Sequence, residues 1–127
     1  MRFVESDDEK IAFFCEGRSK QPDEDFIAAC ALPSDPEAAR VAVAVRRAVA
    51  EVGSIDPEWI RAEDVYPDQL GVLPLWDSMD WLSLFLALER ELKTKISNEE
   101  ADQLLDPRGF SVREMAAAVY RMIKSRA

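Results

Sequence analysis

Histidine is absent from the 127 residues, which removes the commonest general base and the commonest metal ligand. Whatever chemistry the chain performs rests on hydroxyls, carboxylates, amines and two thiols. One hydroxyl has an unusual setting. Ser78 lies in Asp77-Ser78-Met79-Asp80, directly after a loop with three prolines and at the head of a run of strong helix formers, DSMDWLSLFLALEREL. At a helix start the free backbone amides and the positive end of the dipole favour a phosphate ester on such a hydroxyl. An Asp-Ser pair in that place also serves as an ordinary helix cap, so the tripeptide alone does not decide between the two roles. Cys15 and Cys30 sit in apolar stretches, AFFCEG and IAACAL, without CxxC spacing, and read as buried thiols in a reducing compartment.

The elements that must position Ser78 are helical, and an all-α fold is expected. Pro22 opens PDEDFIAACAL, whose acidic first turn and apolar spacing predict a short helix over about residues 22–32. Asp35 caps a second start with Pro36 in the first helical position, and a long helix runs to Gly53. Its apolar stripe is Val41, Val45, Ala48, Val49 and Val52, with Arg40, Arg46, Arg47 and Glu51 expected largely outside it. Residues 54–77 are rich in proline yet punctuated by Ile55, Trp59, Ile60, Val65, Leu70, Leu73, Leu75 and Trp76, which predicts a long loop that is packed. A second long helix follows over about residues 78–93, then a short helix from Ser97 or Asn98 through NEEADQLL. After Pro107 and Gly109, Ser111 caps a final helix. Long helix, packed loop, long helix, short helix and long helix make an antiparallel bundle with one short member. No strand alternation and no internal repeat is legible.

Composition narrows the function. Sixteen basic against 25 acidic residues leave a net charge of −9, the wrong sign for neutralising nucleic-acid phosphates or binding an anionic membrane. The longest uninterrupted apolar run, LFLAL at 84–88, is far short of a membrane span, and MRFVESDDEK has no signal-peptide pattern, so a cytoplasmic location is expected. The sequence shows no base, oxyanion loop or metal constellation, which argues against an enzyme acting alone.

Residues 36–124 resemble an acyl carrier protein. Asp77-Ser78-Met79-Asp80 is similar to that family's Asp-Ser-Leu attachment motif, and Asp68-Gln69-Leu70-Gly71 to its Asp-Leu-Gly stretch. ALERELKTKIS, with Ile96 in the place of a buried isoleucine, resembles the end of the family's second helix, and NEEADQLL and SVREMAAAVYRMI its last two helices. The resemblance implies an acyl-carrier-like four-helix bundle over residues 36–127, preceded by an N-terminal extension, residues 1–35, partly mobile and carrying one extra short helix. It implies a non-catalytic carrier with 4′-phosphopantetheine covalently attached to Ser78, Asp77 being part of the motif that a phosphopantetheinyl transferase reads. The arm would hold acyl groups as thioesters for acyl-loading and acyl-transferring or condensing enzymes. Three extra residues between Gly71 and Asp77, Met79 for leucine, and the extension depart from the family pattern. They direct the expectation to a specialised lipid, fatty-acid or polyketide and secondary-metabolite pathway. A monomer is expected. The alternative is an unmodified acyl-carrier-like helical interaction module.

On a helical wheel Trp81, Leu84, Phe85, Leu88 and Leu92 share one arc of the second long helix, and Met79, Leu82 and Leu86 an adjoining one. The resemblance assigns Met79, Asp80, Leu86 and Glu89 to partner contact. Because residues 78–95 have no net charge, docking is expected to depend more on Met79 and Leu86 than on helix charge. The aromatic residues of the extension are expected to pack on the bundle.

Overall fold

The computed structural model describes residues 6–74, 76, 81–104 and 108–126. Helices dominate: α1 (Asp7–Cys15), α2 (Asp23–Cys30), α3 (Pro36–Val52), α4 (Trp81–Leu92), α5 (Asn98–Leu104) and α6 (Val112–Ser125). Their starts follow local chemistry. Asp35 accepts the Ala38 N–H at 2.7 Å, with Pro36 as the first residue of α3. Ser111 and Glu114 form a reciprocal capping box at the head of α6, 3.0 and 2.8 Å long.

α3 packs against both α4 and α6, α2 lies on α3 and α6, and α5 lies on α6. The expected α3 stripe is the one buried: Val41, Val45, Ala48, Val49 and Val52. Arg46 corrects the expectation, because it is fully buried where the wheel left it on a polar margin. Three differences concern the extension and the strands. The helix expected at about 22–32 is α2, ending at Cys30; a further helix, α1, precedes it; and residues Val65–Tyr66 (β1) pair antiparallel with Phe110–Ser111 (β2). These strands are too short for side-chain alternation to reveal them. α1 escaped the sequence pattern because Phe14 is its one buried residue.

The loop between α3 and α4 is packed, as expected. It forms two 3-10 turns, Pro57–Trp59 and Leu70–Val72, and fully buries Ile60, Leu70, Leu73 and Trp76. It also completes α6: the Asp64 and Ala62 carbonyls accept the amides of Val112 and Arg113, both at 2.9 Å, satisfying donors that a helix start leaves free. None of the described helices is long and apolar enough to cross a membrane.

Candidate functional site

Asp77, Ser78, Met79 and Asp80 lie outside the described residues. Their neighbours along the chain, Trp76 and Trp81, are described and belong to one cluster. Tyr66 from β1 stacks on Phe110 from β2 with ring centroids 5.5 Å apart, and meets Trp76 at 5.6 Å and Trp81 edge-on at 5.5 Å. Phe110 closes the group against Trp76 at 6.3 Å and Trp81 at 6.0 Å. These separations lie in the range where aromatic pairs attract beyond simple burial. Trp76 is anchored a second way, by donation from Nε1 to the Val49 carbonyl of α3 at 3.1 Å, so its indole is both buried and satisfied.

Two close backbone approaches permit this arrangement. A Cβ on Gly109 would stand 2.9 Å from the Tyr66 carbonyl, and φ there is +153°, so glycine lets the two strands meet. A Cβ on Gly53 would stand 2.8 Å from Leu73 Cδ1 and 3.3 Å from its Cβ, so a side chain there would force the buried Leu73 to shift.

The earlier half of the loop is tied to the extension by charge. Arg46 donates to the Ile60 carbonyl (3.1 Å), the Glu58 carbonyl (3.0 Å) and Asp23 Oδ1 (3.0 Å), and its guanidinium lies 4.6 Å from the Phe26 ring centroid. Buried guanidinium is tolerable only with such a set of acceptors. Arg18 forms a two-pronged pair with Asp64 at 3.0 and 2.7 Å, donates to the Trp59 carbonyl, and lies over the Phe14 ring. Arg61 returns a bond to the Ser19 carbonyl at 2.6 Å, and the Gln21 amide donates to the Glu58 carbonyl at 2.9 Å. Phe14 and Phe26 are buried with Cys30 in the common core, as expected of aromatic residues of the extension, whereas Phe13 is 62% exposed and Phe3 lies outside the described residues.

On α4 the wheel separates as anticipated. Leu84, Leu88 and Leu92 are buried and Trp81 and Phe85 half-buried, while Leu82 and Leu86 are 62% and 52% exposed. Glu89, assigned by resemblance to partner contact, is engaged within the molecule: its carboxylate accepts the Ile96 amide at 2.7 Å. Ile96 itself is half-buried rather than buried. Arg90 pairs with Glu51, and Arg47 lies 3.9 Å from Glu91, so α4's charges face α3 as well as solvent.

The thiols are not poised for chemistry. Burial pushes Cys30 up to about 11 and raises Cys15 as well, the opposite of thiolate activation. Both are free. Thus Leu82 and Leu86 were legible from helical spacing, whereas the Arg18–Asp64 and Arg46–Asp23 pairs and the meeting of Tyr66 with Phe110 were not, since each joins distant stretches of chain. No protein-family model matches the chain, and no solved structure matches it.

Proposed function

We propose that this protein is an acyl carrier, holding acyl groups as thioesters on a 4′-phosphopantetheine arm joined to Ser78 Oγ. The observation that carries the reading is the position of Asp77-Ser78 between Trp76, anchored in the core, and Trp81, the first residue of α4. An attachment serine needs a firm footing on both sides and a helix at its back. The residue chemistry fits the group: Ser78 supplies the hydroxyl of a phosphodiester, Asp77 the acid beside it, and a following helix favours the negative charge. When bound, the arm supplies a thiol that carries the acyl group.

In this reading α3, α4, α5 and α6 are the four helices of the carrier bundle, with α5 its short member, and residues 1–35 are an extension pinned to it by Arg18 and Arg46. The chain's own residues catalyse nothing. They present Ser78 to a phosphopantetheinyl transferase, then to the enzymes that load, transfer or condense acyl groups in a specialised lipid, fatty-acid or polyketide pathway. The exposed pair Leu82 and Leu86 supports an apolar contact beside Ser78, with Met79 and Asp80 completing it and Glu89 contributing less because Ile96 already occupies its carboxylate.

Incubation with coenzyme A and a broad-specificity transferase tests the proposal. One phosphopantetheine is expected on the full chain by intact mass, and none on Ser78→Ala. A full chain that stays unmodified, or a modified Ser78→Ala variant, overturns it; the first outcome would leave an unmodified helical module presenting Leu82 and Leu86.

A further inference from the structure

The exposed face of α4 runs from leucines to lysines. Leu82 and Leu86, four residues apart and so on one face, are 62% and 52% exposed. Beside Leu86 a hollow of about 570 Å³ is edged by Arg90, Lys93 and Lys95, with Glu89 as its one carboxylate. Its exposed lining is mainly apolar, as Leu86 and the methylene stems of long basic side chains would make it. The charges around it are not equivalent. Glu89 is committed to the Ile96 amide and Arg90 to Glu51. Lys93 and Lys95 are exposed, and no carboxylate among the described residues pairs with either. Other cations are met within the molecule, as in Arg18–Asp64, Arg46–Asp23 and Arg126–Glu100. Nor does the end of α4 need the lysines: the Leu92 carbonyl accepts from Arg40 at 3.3 Å, and the Glu89 carbonyl from the Thr94 amide at 3.2 Å. Arg126 fastens the turn between them through Thr94 Oγ1 and the Lys95 carbonyl, at 2.8 and 2.5 Å, so both ammonium groups extend from backbone that is already fixed. Lys93 holds φ +57°, where glycine is the usual choice, so a cation stands here against local backbone preference.

We infer that the Leu82–Leu86 face and the Lys93–Lys95 rim together dock an acidic helical segment of another protein, with an apolar anchor against the leucines and carboxylates against the lysines. A straight helical stripe of this kind suits a helix laid beside it. Leu86 and Lys93 are seven residues apart, about 10 Å along a helix, so anchor and acid should lie about two turns apart on the partner. The apolar contact supplies affinity. The two lysines select the sign of the partner and speed its encounter, because a chain of net −9 repels an acidic segment over much of its remaining surface. The inference rests on the carrier reading only for calling that protein an acyl-handling enzyme; the surface itself does not depend on it.

The test uses the full, unmodified chain, isotope-labelled for nuclear magnetic resonance, and two synthetic amphipathic peptides of about 18 residues. The peptides share a leucine pair four residues apart and differ only in carrying glutamate or lysine elsewhere. Amide shifts locate binding, and titration gives Kd. The glutamate peptide should bind at residues 82–95 about tenfold more tightly than the lysine peptide at low salt, and the preference should shrink as salt is added. Lys93→Glu combined with Lys95→Glu should reverse the order, and Leu86→Ala should weaken the glutamate peptide about tenfold, with circular dichroism confirming that each variant folds. A lysine peptide that binds as tightly, a glutamate peptide that binds elsewhere, or no binding at millimolar concentration overturns the inference. Phosphatidylglycerol vesicles that shift the same amides would assign the patch to a membrane, and self-association of the wild-type chain that is lost with both lysines replaced would assign it to a second copy; either result also overturns it. No transferase enters the measurement, so its outcome is independent of whether Ser78 is modified, which decides the carrier reading alone.

Discussion

The loop from α3 to α4 is held in its first half and in its second half by different physics. Over residues 56–64 the contacts are directional: Arg18 and Arg46 meet carboxylates and carbonyls at 2.7–3.2 Å, and each guanidinium also covers a ring of the extension. Over residues 66–76 the side-chain contacts are mainly between rings, 5.5–6.3 Å apart at several angles, with one side-chain hydrogen bond, from Trp76 Nε1 to the Val49 carbonyl, beside the short β1–β2 ladder at Tyr66. Guanidinium forks have one good geometry, whereas stacked and tilted rings tolerate a range of them. The extension is therefore locked to the loop where the loop is far along the chain from Ser78. The stretch leading into Ser78 rests on volume and shape. Such a division suits the proposed carrier role, in which Ser78 would have to meet several partners from a scaffold that does not shift.

The comparison can be broken by substitution. The largest loss is expected for Trp76→Ala, which empties the centre of the aromatic group: about 3–5 kcal/mol of unfolding free energy, read by denaturant titration. Close behind it, Arg46→Lys should cost about 3 kcal/mol, because an ammonium cannot reach two carbonyls and Asp23 together and a buried acceptor set is left unmet. The matching conservative change at the other end, Trp76→Phe, should cost only about 1–2 kcal/mol, mainly the lost bond to Val49 and some volume. Equal losses for Arg46→Lys and Trp76→Phe would erase the distinction.

A smaller effect separates both regions from the far end of the molecule. There Arg126 takes both oxygens of Glu100 at 2.8 Å and also binds Thr94 and the Lys95 carbonyl. The Arg126 guanidinium, followed by the Ser97 amide, holds the Glu100 carboxyl down at about 2 from its ordinary 4.5. A carboxyl depressed in the folded state stabilises it above its unfolded value, and that contribution is lost as pH falls from about 4.5 through about 2. The melting temperature of the wild-type chain should accordingly fall more over that window than that of Glu100→Gln. The pair is exposed to solvent, so the difference should be small and should shrink with added salt.

Much of the framework was readable from local signals. Asp35-Pro36 and Ser111 mark helix starts through caps that need only a few neighbouring residues, and the spacing of Leu84, Leu88, Leu82 and Leu86 separates the buried from the exposed face of α4. The packed loop was legible because so many apolar residues between prolines have no other place to go. Arg46 was misread because a helical wheel treats every arginine as surface, and the acceptors that make its burial tolerable come from Asp23, Glu58 and Ile60, far from it in sequence. The aromatic group could not be assembled in advance for the same reason: Tyr66 and Phe110 meet only through a two-residue ladder and a glycine. Ser78 was legible as a motif alone, and its role is tested by chemistry.

That role is addressed most directly by intact mass spectrometry, with fragmentation, of the protein isolated from its native source. The account predicts a population heavier than the polypeptide by one phosphopantetheine, with or without an acyl group, and fragments that confine the added mass to Ser78. A chain found only at the mass of the bare polypeptide, or one carrying the group at another residue, would contradict it.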